Sequence, residues 1–119
     1  MPTPAELSHA MRLHALSLPG AWEDFPWGER VAKVGQKVFV FMGHDASEEL
    51  GFSVKIKVSA PAVLARGYAS PTGYGLGKAG WVSVHLQAGG CPSMEEIRAW
   101  IDESYRAVAP KRMIAKMGG

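Results

Sequence analysis

Leu50-Gly-Phe-Ser-Val-Lys-Ile-Lys-Val58 alternates residue by residue: Phe52, Val54, Ile56 and Val58 are apolar, and Ser53, Lys55 and Lys57 between them are polar. Successive side chains of a strand point to opposite faces, so this period of two predicts a strand with one face in a core and two lysines in water. Trp81 to Leu86 repeats the pattern, with Val82, Val84 and Leu86 on one side and Trp81, Ser83 and His85 on the other. The aliphatic sides of both strands need a common cover, and the segment after Ser93 supplies one. Ser93 and Glu96 form a capping box, after which Ile97, Trp100, Ile101, Ser104 and Val108 recur at helical spacing as far as Ala109. Phe52, Val54, Ile56, Val82, Val84, Ile97, Ile101 and Val108 are therefore expected to be buried together.

Upstream, Thr3, Pro4 and Glu6 are a helix start signal, and Leu7, Ala10, Met11, His14 and Leu18 follow on one face until Pro19-Gly20. His14 lies on or beside that face, as a packing residue with a satisfied ring. Ala21 to Gly28 holds Trp22, Phe25 and Trp27 around Glu23, Asp24 and Pro26; it reads as a connection whose aromatics pack down on the core and whose acids cap or solvate it. Glu29 to Val34, a Gly35-Gln36 turn and Lys37 to Met42 read as a hairpin. Ser59 is a candidate cap for a short helix over Pro61 to Arg66, and Gly67 its stop. Tyr68 to Gly80 is a glycine-rich loop with room for a short edge strand, and Lys111 to Gly119 is a basic tail. The order helix, three strands, helix, strand or strands, helix predicts an α+β fold: an antiparallel sheet of four or five strands with helices on one side.

A chain of 119 residues makes one domain, 1–119, with its core in 3–109 and the tail in 110–119. Apolar residues at 47% and charged residues at 20% suit a compact globule and exclude disorder, collagen and coiled coil. Cys91 is the only cysteine, which excludes a disulfide framework and suits a reducing compartment. No apolar run approaches the ~18 residues of a membrane helix, and the N-terminus lacks the pattern of a signal peptide. The expected location is the cytoplasm.

Gly75, Gly77 and Gly80 satisfy G-x-G-x-x-G, but a dinucleotide site needs a strand before and a helix after, and here a strand follows. Cys91, between Gly90 and Pro92, has no cationic neighbour to activate it, and no triad pattern is present. His44, Asp45, Glu48 and Glu49 sit together without metal-ligand spacing and read as a solvated acidic turn. The expectation is a protein without catalytic residues, metal or cofactor.

Charge is the informative feature. Between Leu50 and Met94 the bases are Lys55, Lys57, Arg66 and Lys78, and from Ser104 onward they are Arg106, Lys111, Arg112 and Lys116; all eleven acids lie elsewhere. Such segregation can give a basic face to a nearly neutral chain. The polar sides of the two alternating strands then combine Lys55, Lys57 and Lys78 with Trp81, Ser83 and His85, charge for phosphate beside an aromatic plane.

Leu18-Pro-Gly-Ala-Trp-Glu-Asp-Phe-Pro-Trp-Gly28, Lys37-Val-Phe-Val-Phe41, Ser53-Val-Lys-Ile-Lys57, Gly80-Trp-Val-Ser-Val84 and Asp102-Glu-Ser-Tyr-Arg-Ala-Val108 together resemble the MmcQ/YjbR family of small bacterial proteins. The resemblance spans Leu18 to Val108. It implies an antiparallel α+β fold described as a double-wing DNA-binding architecture, whose open sheet face meets the duplex. The positions that would carry this here are Lys55, Lys57, Lys78, Trp81, Ser83 and His85, with Lys33 as an added phosphate contact. Ser104 and Tyr105 match the family's Ser-Tyr pair and are expected to pack the last helix on the sheet. Duplex DNA, bound weakly and salt-sensitively, is the expected partner. The alternative is a protein-interaction module: the family's architecture also resembles that of secretion chaperones, and an exposed sheet with Trp81 could pair with another protein or a second copy of itself.

Overall fold

The computed structural model describes residues 3–26, 29–44, 50–73, 76–86 and 92–117. The acidic loop Asp45 to Glu49, Trp27 and Gly28, Tyr74 and Gly75, and the turn Gln87 to Cys91 lie outside the described residues.

The chain is α+β. It runs α1 (Pro4–Ser17), β1 (Ala21–Asp24), β2 (Glu29–Val34), β3 (Lys37–His44), β4 (Leu50–Lys55), α2 (Ala60–Leu64), β5 (Ala69–Pro71), β6 (Trp81–Leu86), α3 (Met94–Val108) and α4 (Lys111–Ile114). The sheet has six strands in the order β1-β2-β3-β4-β6-β5, antiparallel throughout. β5 is the edge strand for which the glycine-rich segment had room, and β1, at the other edge, is the strand beyond the expected four or five. None of the helices described is long and apolar enough to cross a membrane.

Both capping boxes form: Thr3 Oγ1 accepts from the Glu6 amide while the Glu6 carboxylate accepts from the Thr3 amide, and Ser93 and Glu96 do the same for α3. Leu7, Met11 and Ala15 of α1 meet Ile97, Trp100, Ile101 and Tyr105 of α3 in one core with Phe52, Val54, Ile56, Val82, Val84 and Leu86 of the sheet. The two helices run parallel, as two cross-links show. His14 Nε2 lies 2.8 Å from Asp102 Oδ1, and the Tyr105 hydroxyl donates to the Pro19 carbonyl at 2.5 Å. Burial pushes the Tyr105 phenol pKa up, which keeps it a donor. Buried Ser104 ties α3 to the sheet, accepting from the Lys55 amide and donating to the Phe39 carbonyl. The Ser-Tyr pair thus packs α3 as expected, and Tyr105 takes the buried place assigned to Val108, which is only half-buried.

Other expectations are corrected. Residues 21–24 form an edge strand, and Trp22 and Phe25 are 41% and 49% exposed instead of packing on the core. The acids there are ion-pair partners: Glu23 binds Arg12 at 2.6 Å and lies 3.5 Å from Arg30, and Asp24 binds Lys33 at 2.7 Å. The fourth strand stops at Lys55: the Ile56 amide still bonds the Gly80 carbonyl at 2.9 Å in register, but the Gly80 amide turns to the Gly77 carbonyl and the Ile56 carbonyl accepts from Ala60; Val58 is 88% exposed. Ser59 does not cap α2 and donates to Glu103 at 2.5 Å. The tail is not free, since it forms α4, whose Met113 and Ile114 pack on the core.

The Arg12 hydrogen bond, with Arg12 and Arg30 close by, holds the Glu23 carboxyl below the usual carboxylate range, and Lys33 does the same for Asp24. A carboxyl depressed on folding stabilises fully above its unfolded pKa of about 4.3, and that contribution is lost as pH falls through the folded value. Urea midpoints measured from about pH 7 down to about pH 3 should therefore fall, and fall less in Glu23→Gln. An unchanged acid slope in the variant would show the pair to be energetically silent.

Candidate nucleic-acid interface

The sheet face away from α1 and α3 is set by register. Phe41 opposes Ser53, Ser53 opposes Ser83, Lys55 opposes Trp81, and Gly51 opposes His85. The six residues expected to act together separate along this face. Lys55 and Trp81 stand at one end, Ser83 in the middle and His85 four residues on, about 13 Å away at ~3.3 Å per residue.

At the first end, Lys57 and Lys78 join Lys55. A Cβ on Gly80 (φ +97°) would lie 2.7 Å from the Lys57 side chain and 2.8 Å from its Cα, so only glycine allows the 76–79 turn to seat against the end of β4. Lys57 and Lys78 are exposed and Lys55 half-exposed, and none of the three has an ion pair among the described residues. Lys33, in contrast, is committed to Asp24 and sits over the Trp22 ring at 5.3 Å, so it is not available as an added phosphate contact.

Trp81 is 8% exposed. Its ring meets Phe41 edge-on at 5.1 Å between centroids, on the face that alternation assigned to it but under cover. It is a wall of the site and not an open stacking plane. Among the described residues the accessible indole is that of Trp22, whose Nε1 donates to the Gly35 carbonyl.

The middle of the face carries a chain of hydroxyls: Thr72 Oγ1 lies 3.0 Å from Ser83 Oγ, which lies 2.8 Å from Ser53 Oγ. Two contacts use two of the three protons, leaving a donor for another group. The far end is a shallow hollow of about 210 Å³ whose lining includes Glu29, Phe41, Gly51, Ser53, Ser83 and His85. A Cβ at Gly51 would sit 2.5 Å from the Val84 carbonyl oxygen, so the strand can be this close only with glycine there. Thr72, Phe41 and Glu29 escaped the sequence reading because their place here depends on register between strands.

A family model described as YjbR matches residues 16–107. The chain belongs to the YjbR family. That membership is the one indicated by the five sequence segments. No curated protein matches the chain. Among solved structures, the crystal structure of Deinococcus radiodurans protein DR2400, described as a DUF419 domain, aligns with a TM-score of 0.72 at 24% identity. The alignment covers 99% of this YjbR chain and 92% of that one, and at this identity it speaks to the fold alone.

Proposed function

We propose that this YjbR domain is a non-enzymatic, cytoplasmic DNA-binding protein that meets the phosphate backbone at the lysine end of its helix-free sheet face. The observation that carries the reading is the convergence of Lys55, Lys57 and Lys78 with no acidic partner among the described residues, while Arg12, Arg30, Lys33 and Arg66 are each matched to a carboxylate. Cations with no partner of their own can neutralise phosphates, and the condensed counterions they release from a duplex drive binding. Ser83 offers its hydroxyl to the sugar–phosphate track, and exposed His85 reaches a more distant part of it. Trp81 acts by supporting Phe41 and the strand that carries Lys55.

The test is fluorescence anisotropy of a short labelled duplex across ionic strength. Three lysines on phosphate correspond to a log–log salt slope of about −3. Lys55→Glu combined with Lys57→Glu should abolish binding while the melting temperature stays within about 3 °C, since both side chains reach water. Undiminished affinity in the folded double variant would end this reading.

A further inference from the structure

The lysine end of the sheet is also where the other cations without an ion pair among the described residues collect, apart from Arg98 in the first turns of α3. β3 and β4 are antiparallel, with Val40 opposite Val54, so the start of β3 at Lys37 and the end of β4 at Lys55 lie at one rim. Ala21 opposes Val34 and Val34 opposes Lys37, which brings the start of β1 to the same rim. Gly20, just before β1, touches α4: a Cβ there would lie 3.3 Å from the Met113 sulfur and 3.9 Å from Val34. The last turns of α3 arrive at this rim too, since Ser104 bonds the Lys55 amide.

The rim therefore gathers Lys37, Lys55, Lys57 and Lys78 from the sheet with Arg106, Lys111, Arg112 and Lys116 from α3 and the C-terminal helix. All but half-buried Lys55 are exposed, and none has an ion pair among the described residues. Of the neighbouring acids, Asp102 is bonded to His14, while Glu103 stays at this end with its carboxylate taken up by the Ser59 amide and hydroxyl, two residues from Lys57. Because α1 and α3 are parallel, their acidic first turns with Glu6, Glu95 and Glu96 lie at the opposite end. The molecule is polarised along its helices, and the negative ends of both helix dipoles sit under the cations, which favours them there.

We infer that this whole rim, including α4, is one extended contact for the phosphate backbone of a nucleic acid. The inference rests on the proposed function and enlarges its footprint. Six strands at ~4.8 Å spacing give a rim about 24 Å across. Along about 24 Å a duplex presents on the order of fourteen phosphates, a linear array that a row of separated cations can match. Met113, Ile114 and Met117 are half-buried against the core, so α4 offers charge without the free apolar face that insertion into a bilayer requires.

The experiment uses the full chain, a labelled duplex and, in parallel, phosphatidylcholine vesicles containing phosphatidylserine. The wild type should bind the duplex with a salt slope of about −5 to −7, steeper than three lysines supply. Lys111→Gln with Arg112→Gln and Lys116→Gln should reduce the slope by about 2 to 3 and the affinity at about 0.1 M salt by about a hundred-fold or more. An NMR titration of the unaltered protein gives an independent reading, with amide shifts expected in both Gly35–Lys37 and Lys111–Lys116. A wild-type slope near −3, unchanged in the triple variant and with no shifts in α4, would overturn the extended rim and leave the proposed function standing. Absence of duplex binding at low salt overturns both. Preferential binding to the anionic vesicles would overturn the choice of nucleic acid as partner.

Discussion

Trp81→Ala should destabilise the fold by about 3–5 kcal/mol, the usual cost of deleting a buried aromatic. In a domain of this size that corresponds to a drop in melting temperature of roughly 10–20 °C. The indole is 8% exposed and packs edge-on against Phe41, so its removal opens a gap on the sheet face beside the Gly80–Lys57 contact. Loosening that contact should also weaken duplex binding indirectly, by misplacing Lys57 and Lys78. Trp81→Phe separates the two effects, because a smaller aromatic keeps part of the packing and should recover most of the affinity. If Trp81→Ala melts within about 3 °C of the wild type, the indole is not the structural wall described here.

The second large effect is expected at Ile101, which is fully buried between α1 and the sheet. Ile101→Ala should cost about 2–5 kcal/mol, the upper part of the range applying if the cavity cannot collapse. Collapse is restricted here because α3 is pinned on either side of the core by Ser104 to the sheet and by His14 to α1. Chemical denaturation should show a lower midpoint with an unchanged slope. A changed slope would mean that the native state itself had loosened.

The strands at 50–56 and 81–86 and helices α1 and α3 were legible because each has many residues in phase with one period and an explicit cap or turn signal. What periodicity could not supply was the identity of the cover. It assigned Trp81 to the face away from the helices, but that face is not all open, and Phe41, which closes over it, lies on another strand. Trp22 and Phe25 were misread for the converse reason. Four residues with one indole and two acids show no alternation, and they form a strand because the edge of β2 is available to pair with them. The lysines of the sheet face were readable singly, yet their relation to Lys37 and α4 was hidden. Pro110 reads as a stop, and a helix as short as Lys111–Ile114 exists only through the packing of Met113 and Ile114 on the core. The commitment of Lys33 to Asp24 was likewise out of reach without the β1–β2 register.

The parallel pairing of α1 with α3 also sets an order of events during synthesis. The contacts that dock α1 span 88 and 86 residues, from His14 to Asp102 and from Pro19 to Tyr105. At about 5–20 residues per second, α1 leaves the ribosome roughly 4–17 s before its partner is complete. A 14-residue helix is marginal alone, whereas the β2–β3 hairpin needs only local contacts and microseconds. Through those seconds α1 has only the strands to pack on, and Leu7, Met11 and Ala15 lack the α3 side of their core. The core of the nascent chain thus stays open on its helix side after every strand has been made, until α3 closes it.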